Sequence, residues 1–338
     1  MKDSSNIRIN SEVDFTKWDQ LIQQSKFATP FQEHKYYNLK HTEDHIEKHV
    51  FAIENIHHSY EALCVITIQK ERGIKSFFSK RGIIFGGPVL SPNCSEIALK
   101  LLFSAIVSKL KSKVIYIETR NFHKYDRFSK VFKEMGWAYT PYLNVKVALS
   151  GEKLEDVLAT FKYNRRREIK LTLKAGIVYT EAKGLEDIES VYALLIDLYK
   201  KRIGLPIPSL HYFIDFWTSG MMKIFVVKDK DLIIGGSFCI VQEKKAIYTF
   251  YYCGERAYKL KTYPTHLAVL AAIDYGLKNG LKYLDFMGAG KPDINYGVRK
   301  YKMEFGGELV EEGRYLKITN RLLYKIGVQL IKLLKRKK

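Results

Sequence analysis

The stretch Ala105-Ile106-Val107-Ser108-Lys109-Leu110-Lys111-Ser112-Lys113-Val114-Ile115-Tyr116-Ile117-Glu118 returns 167 residues later as Ala272-Ile273-Asp274-Tyr275-Gly276-Leu277-Lys278-Asn279-Gly280-Leu281-Lys282-Tyr283-Leu284-Asp285. Five of the fourteen positions are identical (Ala, Ile, Leu, Lys and Tyr), and Val/Leu, Ile/Leu and Glu/Asp are conservative. Each copy reads as a helix end, a polar turn, then a strand closing on a carboxylate. Phe132-Lys133 likewise precedes Tyr301-Lys302 by 169 residues. An offset near half of the 338-residue chain points to a duplicated domain rather than a short-repeat solenoid.

Hydrophobic periodicity outward from these two stretches gives both halves one element order. The first half reads as helices near 14–24 and 31–40, then strands near 48–56, 61–69 and 81–85. A helix at 96–110 follows, then strand 113–118, helix 124–135 and strand 138–148. The second half opens with one long helix, 152–175, and a strand near 177–181. Helices near 186–201 and 209–219 precede strands near 222–228, 232–241 and 245–253. Helix 264–279, strand 281–286, a short helix near 298–304 and a closing hairpin at 308–318 complete it. Helices, an antiparallel meander, a helix and a crossing strand make an α+β fold with mixed sheets flanked by helices.

Lys and Arg total 56 against 36 Asp and Glu, a net charge of +20 and a pI near 9.5. Such a balance favours polyanionic partners: nucleic acid, an anionic membrane face or a phosphorylated substrate. Apolar residues at 46% supply a full core, which excludes global disorder. No apolar run approaches the ~20 residues of a bilayer span, and the first residues carry no signal-peptide stretch. A cytoplasmic protein is the expectation. Cys64, Cys94, Cys239 and Cys253 are far apart with no CxxC pair, so reduced core thiols are expected. His41, His45 and His49 would line up three imidazoles on a helix. The segment runs into the strand-like Val50-Phe51-Ala52-Ile53, however, and no metal site is expected.

The positive charge has two concentrations. Lys162, Arg166, Lys170 and Lys174 recur every four residues and share a helix face, with Arg165 and Arg167 flanking. From Ile318 onward, Leu322, Leu323, Ile326, Leu330, Leu333 and Leu334 follow helical spacing, and Lys332, Lys335, Arg336, Lys337 and Lys338 are basic. A basic amphipathic helix of this kind suits peripheral contact with an anionic membrane surface; packing on its own domain with a frayed tail is the alternative.

Residues 283–307 carry the densest chemistry. A strand delivers Asp285 to its end, and Gly288-Ala289-Gly290 then turns beside Lys291, a geometry whose backbone N–H groups can cradle an anion. Tyr296, Arg299 and Lys302 follow. The last two are three residues apart, a spacing at which both can face one substrate.

Asp285-Phe286, Gly288, Gly290, Gly297, Tyr301-Lys302 and Phe305-Gly306 resemble the signature of the Fem-type (FemAB/FemX-like) peptidoglycan-bridge aminoacyltransferases. Arg166, Ile169, Lys170, Lys174 and Gly176 resemble a helix end of that family, and Gln32, Tyr36 and Lys40 resemble an N-terminal element. The resemblance covers nearly the whole chain. It implies two tandem GNAT-like acyltransferase domains, which we place at 1–150 and 151–317, with 318–338 as the basic C-terminal helix. It also implies transfer of an amino acid from aminoacyl-tRNA to an amine of a cell-wall precursor, with no cofactor.

By the same resemblance, Lys40 contacts the acceptor's diphosphate, Lys302 stabilises charge at the reacting carbonyl, and Arg166 suits a phosphate-rich substrate. Arg202, Gly204 and Tyr212-Phe213 match an acceptor clamp, but Pro208 stands where the family has a second Arg. No glycines occupy Arg256–Lys261, where a CoA-type pyrophosphate loop would fall. Acetyl-CoA remains the alternative donor, for an N-acyltransferase of envelope polysaccharide. A non-catalytic RNA- or lipid-binding protein is a third reading. Asp285 is the candidate general base, although its counterpart Glu118 in the other copy fits a structural role equally well.

Overall fold

The computed structural model describes residues 6–39, 46–70, 79–151, 153–256 and 258–336. The chain forms two compact units, one built from 6–38, 46–141 and 312–336, the other from 142–311.

The first unit starts with β1 (Asn6–Ile9), α1 (Phe15–Gln24), α2 (His34–Asn38), β2 (Ile46–Glu54), β3 (Tyr60–Gln69), β4 (Arg81–Gly86) and β5 (Val89–Leu90). It continues with α3 (Glu96–Leu110), β6 (Tyr116–Asn121), α4 (Ser129–Glu134) and β7 (Ala138–Thr140). The second unit holds β8 (Leu143–Ala148), α5 (Leu154–Thr160), α6 (Tyr163–Lys174), β9 (Val178–Glu181), α7 (Leu185–Leu198) and α8 (Leu210–Thr218). Then come β10 (Met222–Asp229), β11 (Leu232–Gln242), β12 (Ala246–Gly254), α9 (Pro264–Lys278), β13 (Tyr283–Asp285), α10 (Gly297–Met303) and β14 (Glu308–Glu311). The chain returns to the first unit as β15 (Arg314–Ile318) and α11 (Arg321–Arg336).

Local chemistry sets several helix starts. Asp14, Ser95 and Ser209 each accept a hydrogen bond from a backbone N–H of the first turn of α1, α3 and α8, satisfying a donor the helix leaves open. α3 buries Leu99, Leu102, Phe103 and Ile106 on the first sheet. α9 is buried along almost its whole length from Leu267 to Ile273 on the second.

Each sheet has the same order. The first runs β1-β2-β3-β4-β6-β15-β7, with β5 beside β3, and the second runs β9-β10-β11-β12-β13-β8-β14. Among the described residues, the sole parallel pair of each lies at the repeat: β4 with β6, and β12 with β13. The half-length duplication is therefore structural: Glu118 lies in β6 and Asp285 ends β13.

The sheets also exchange strands. β8 follows the first half but completes the second sheet, while β15, at the far end, lies between β6 and β7 of the first. This corrects three expectations. Segment 138–148 is two strands parted around Pro141, because proline removes a ladder donor and favours a break. Residues 308–318 are no hairpin: β14 pairs with β8, and β15 with β6 and β7. The compact units consequently do not follow a linear cut at 150 and 317.

The long helix expected at 152–175 is two helices. Phe161 turns to extended backbone and buries its ring, and the Lys162 N–H leaves the helical ladder to donate to the Glu304 carbonyl at 3.0 Å. All four cysteines are free and buried. His49 lies in β2, while His41 and His45 fall outside the described residues. No described helix is long and apolar enough to cross a membrane.

Candidate functional site

The two parallel strand pairs differ in one decisive respect. In the first unit β4 and β6 stay paired from Arg81–Tyr116 to Gly86–Asn121, and the turn beyond is filled by Tyr125, whose hydroxyl lies 2.7 Å from the Pro88 carbonyl. In the second unit β12 and β13 pair only over Ala246–Tyr283, Ile247–Leu284 and Tyr248–Asp285. β12 then runs on to Gly254 without that neighbour. Its register against β11 jumps from Thr249–Cys239 to Tyr251–Phe238, so Phe250 is an inserted bulge residue. A bulge bends its strand and sharpens the local twist, and here β12 leaves β13 beside it. The result is a fork with Asp285 at its vertex.

Asp285 is fully buried. Its Oδ1 accepts from Asn144 Nδ2 at 2.8 Å and from the Met287 N–H at 2.6 Å, while Oδ2 faces Lys146 Nζ at 3.8 Å. Burial raises its pKa, opposed by Lys146, Asn144, the Met287 N–H and Lys302. Asn144 Oδ1 accepts from the Gly288 N–H at 2.8 Å, and the Ala289 N–H donates to Leu143 O at 2.6 Å. Three consecutive N–H groups of the glycine turn are thus spent inside the protein. The expected anion cradle at Gly288-Ala289-Gly290 is largely occupied by its own strand partner β8. Met287, Gly288 and Gly290 have φ of 55°, 119° and 78°, which is why glycine stands at two of these positions.

Lys302, on α10, is 7% exposed and donates to the carbonyls of Phe286 at 2.7 Å and Gly288 at 2.6 Å. Burial pushes its pKa down to about 8, against the attraction of Asp285. One turn earlier, Arg299 donates to Ala289 O at 2.9 Å and to the carbonyls of Lys291 and Pro292. Arg299 therefore clasps the loop and does not share an open face with Lys302. Lys291 is exposed on that loop, and Tyr296, 41% exposed, covers Gly290. Asp285, Lys291, Tyr296, Arg299 and Lys302 thus come together around one loop.

The other candidates lie apart from this loop. Arg166 folds back onto the Ala159 carbonyl at 3.0 Å. Arg202 is exposed on a turn of π-helix at 199–203. Gln32 is buried, bonding Val65 and the Phe85 carbonyl, and Tyr36 bonds Thr67. Lys40 lies outside the described residues.

Sequence reasoning missed the residues on the other side of α10. Arg165, taken above as a flank of the basic ridge, is 2% exposed. Its guanidinium meets Glu304 Oε2 at 2.5 Å and the Nε2 of His266, and lies over the rings of Tyr301 and Phe305 at 4.5 and 4.7 Å. Glu168 closes the group at 3.0 Å from His266 Nε2. Burial, then the adjacent Arg165 charge, lowers the His266 pKa to about 3, so its imidazole is neutral. Tyr301 also stacks on Tyr252 of β12, at 6.0 Å. The Arg165–Glu168 spacing was the one local signal; Glu304 and His266 are too distant in sequence to read.

Tyr301 and His266 form one wall of a cavity of about 590 Å³, completed by Glu255, Arg256 and residues 259–265. Arg256, Lys259 and Lys261 line it beside Glu255, and Lys259 is paired with Asp229. The N-terminus of α9 opens here with Pro264 in its first turn and no side-chain cap. A 15-residue helix presents partial positive charge at such an end, which favours an anion. The exposed basic positions on α6 and at its N-cap are Lys162, Arg167, Lys170 and Lys174, with Tyr163 69% exposed among them.

Residues 159–303 match the family described as acetyltransferase (GNAT) domain. Among curated proteins none matches the chain. The crystal structure of FemX superposes with a TM-score of 0.71 at 14% identity, covering 94% of this chain and 99% of that one. A tandem GNAT protein from the clavulanic acid biosynthesis pathway gives 0.60 at 10% identity, covering 94% and 99%. The C-terminal domain of a putative lysylphosphatidylglycerol synthetase from Agrobacterium fabrum gives 0.59 at 13% identity, with 95% of each chain covered. The chain has the tandem GNAT fold, FemX-like over nearly its full length, with the family match lying in the second copy.

Proposed function

We propose that this protein is an acyltransferase of the Fem type, moving an amino acid from aminoacyl-tRNA to an amine of a peptidoglycan precursor. The observation that carries this reading is the open fork of the second unit, set beside a basic cavity at the start of α9, where the first unit has its strands zipped shut. The donor's terminal phosphates and ribose take the cavity, against Arg256, Lys261 and the helix end. The acyl carbonyl enters the fork.

Aminolysis of an ester passes through a tetrahedral oxyanion. Two of the three Lys302 N–H directions hold loop carbonyls, and the third is the donor available to that oxygen. One such fixed donor contributes ~3–4 kcal/mol to a transition state. Asp285, buried and bonded to Asn144 and Met287, acts as a positioning residue for the loop. As the acyl C–N bond forms and the acyl C–O bond to the ribose breaks, the departing ribose oxygen takes up the proton released by the attacking amine and leaves as a free hydroxyl. The exposed cations of α6 and the ring of Tyr163 suit the backbone and bases of the tRNA donor.

A second reading keeps the site and changes the donor: a CoA-dependent N-acyltransferase of envelope polysaccharide. The acetyltransferase description of the matched family favours it. RNase added to a transfer assay with charged tRNA decides the matter. Loss of product supports tRNA as donor; undiminished transfer, with acetyl-CoA raising the Tm, supports CoA. Binding of RNA unchanged in Lys302→Met, with transfer absent from both proteins, would favour the non-catalytic reading.

A further inference from the structure

The last helix has a face that neither unit's core explains. α11 is fixed at its start, where Asn320 Oδ1 accepts from the Leu323 N–H at 3.0 Å and Tyr324 packs edge-on against Tyr116 with ring centroids 5.6 Å apart. Leu322 is nevertheless 69% exposed, and Ile318 just before it is 36% exposed. At about 100° per residue, Leu322, Leu323 and Ile326 occupy one arc of the helix. Arg321 and Lys325, both exposed, lie on the other side. No Asp or Glu occurs from Gly313 to the end.

That charge pattern selects among occupants. A second copy docking through α11 would bring two acid-free basic helices together, with no carboxylate on either to neutralise them. An anionic lipid surface accepts the apolar stripe among its acyl chains and neutralises the basic flanks. The helix spans about 24 Å at 1.5 Å per residue, and five basic residues interrupt it, so it fits the plane of a membrane surface rather than its thickness.

We propose that α11 is an interfacial anchor that seats the protein on an anionic membrane surface through Leu322, Leu323 and Ile326, with Arg321 and Lys325 at the headgroups. The proposal is independent of which acyl donor or acceptor the fork takes.

Flotation of the full chain with vesicles tests it. Vesicles containing phosphatidylglycerol are expected to carry the protein, and pure phosphatidylcholine at least ~10-fold less of it, since each basic residue contributes to binding at such a surface. Arg321→Glu/Lys325→Glu is expected to lower binding at least ~10-fold with an unchanged Tm. Leu322→Ser/Ile326→Ser is expected to lower it while retaining every charge. If the serine variant fails to fold, the charge-reversal variant still decides, because Arg321 and Lys325 are exposed. Equal binding to both vesicle types, or full binding by the charge-reversed protein, overturns the proposal. A vesicle-free dimer by light scattering that Leu322→Ser dissociates overturns it too, assigning the face to a second copy.

Discussion

Lys302 is the residue at which position and ionisation meet. Its ammonium is buried, bonded to two carbonyls, and held at about 8 instead of 10.5. The unfolded chain therefore binds more protons than the folded one between these values, and stability from this group rises as pH climbs through them, by ~3 kcal/mol in all. Activity that needs the charged form runs the other way. It is full below about 8 and falls above it. Lys302→Met is expected to lower kcat about 10²-fold or more and to flatten the stability slope from 8 to 10.5; a pH series of urea melts beside a rate profile checks both. His266, held near 3, stays neutral across the working range. The rate profile is accordingly expected to show no inflection near 6.5, the usual histidine value. Arg165 is the second sensitive residue. Arg165→Met strands Glu304 and Glu168 beside a buried site and is expected to cost roughly 3–5 kcal/mol, read as a lower urea midpoint.

At the scale of elements, the 286–292 loop is held from two sides, by β8 through Asn144 and Leu143 and by α10 through Lys302 and Arg299. Gly290→Ala places a methyl group at a φ of 78°, 3.0 Å from the Tyr296 ring. It is expected to cost about 1 kcal/mol and to raise KM more than it lowers kcat, because the loop lines the fork; steady-state kinetics beside thermal melts separates the two. Most elements were legible because their periodicity was strong: α3, α9 and the β10–β12 meander lie within a few residues of expectation. What escaped was set by contacts remote in sequence. The Phe161 break depends on Phe161 reaching Phe305, and the burial of Arg165 depends on Glu304 and His266. Asn144 meets Asp285 from a strand 141 positions earlier, with no local signature. The motif at 283–307 located the site, but the roles within it changed. A glycine turn whose N–H groups looked available is satisfied by β8, and Arg299 braces it.

At the scale of the molecule, the duplication was visible at its offset of 167 residues, yet the exchange of β8 and β15 was not. Strand periodicity reports which face is buried, not which sheet receives the strand. The exchange predicts that residues 1–150 alone will not form a stable domain, since the place between β6 and β7 is empty without β15. Circular dichroism and proteolysis of that fragment are expected to show an incompletely folded chain. Adding a peptide of residues 312–338 is expected to restore protease resistance.

The same exchange has a consequence on the ribosome. β7 ends at Thr140 and its missing neighbour begins at Arg314. At about 5–20 residues per second, the first sheet waits roughly 10–35 s with β6 and β7 unpaired on the sides β15 will take. Two bare strand edges for that long are an opportunity for mispairing between nascent chains. The yield of active protein is therefore expected to follow translation speed and chaperone supply more closely than the stability of the finished fold.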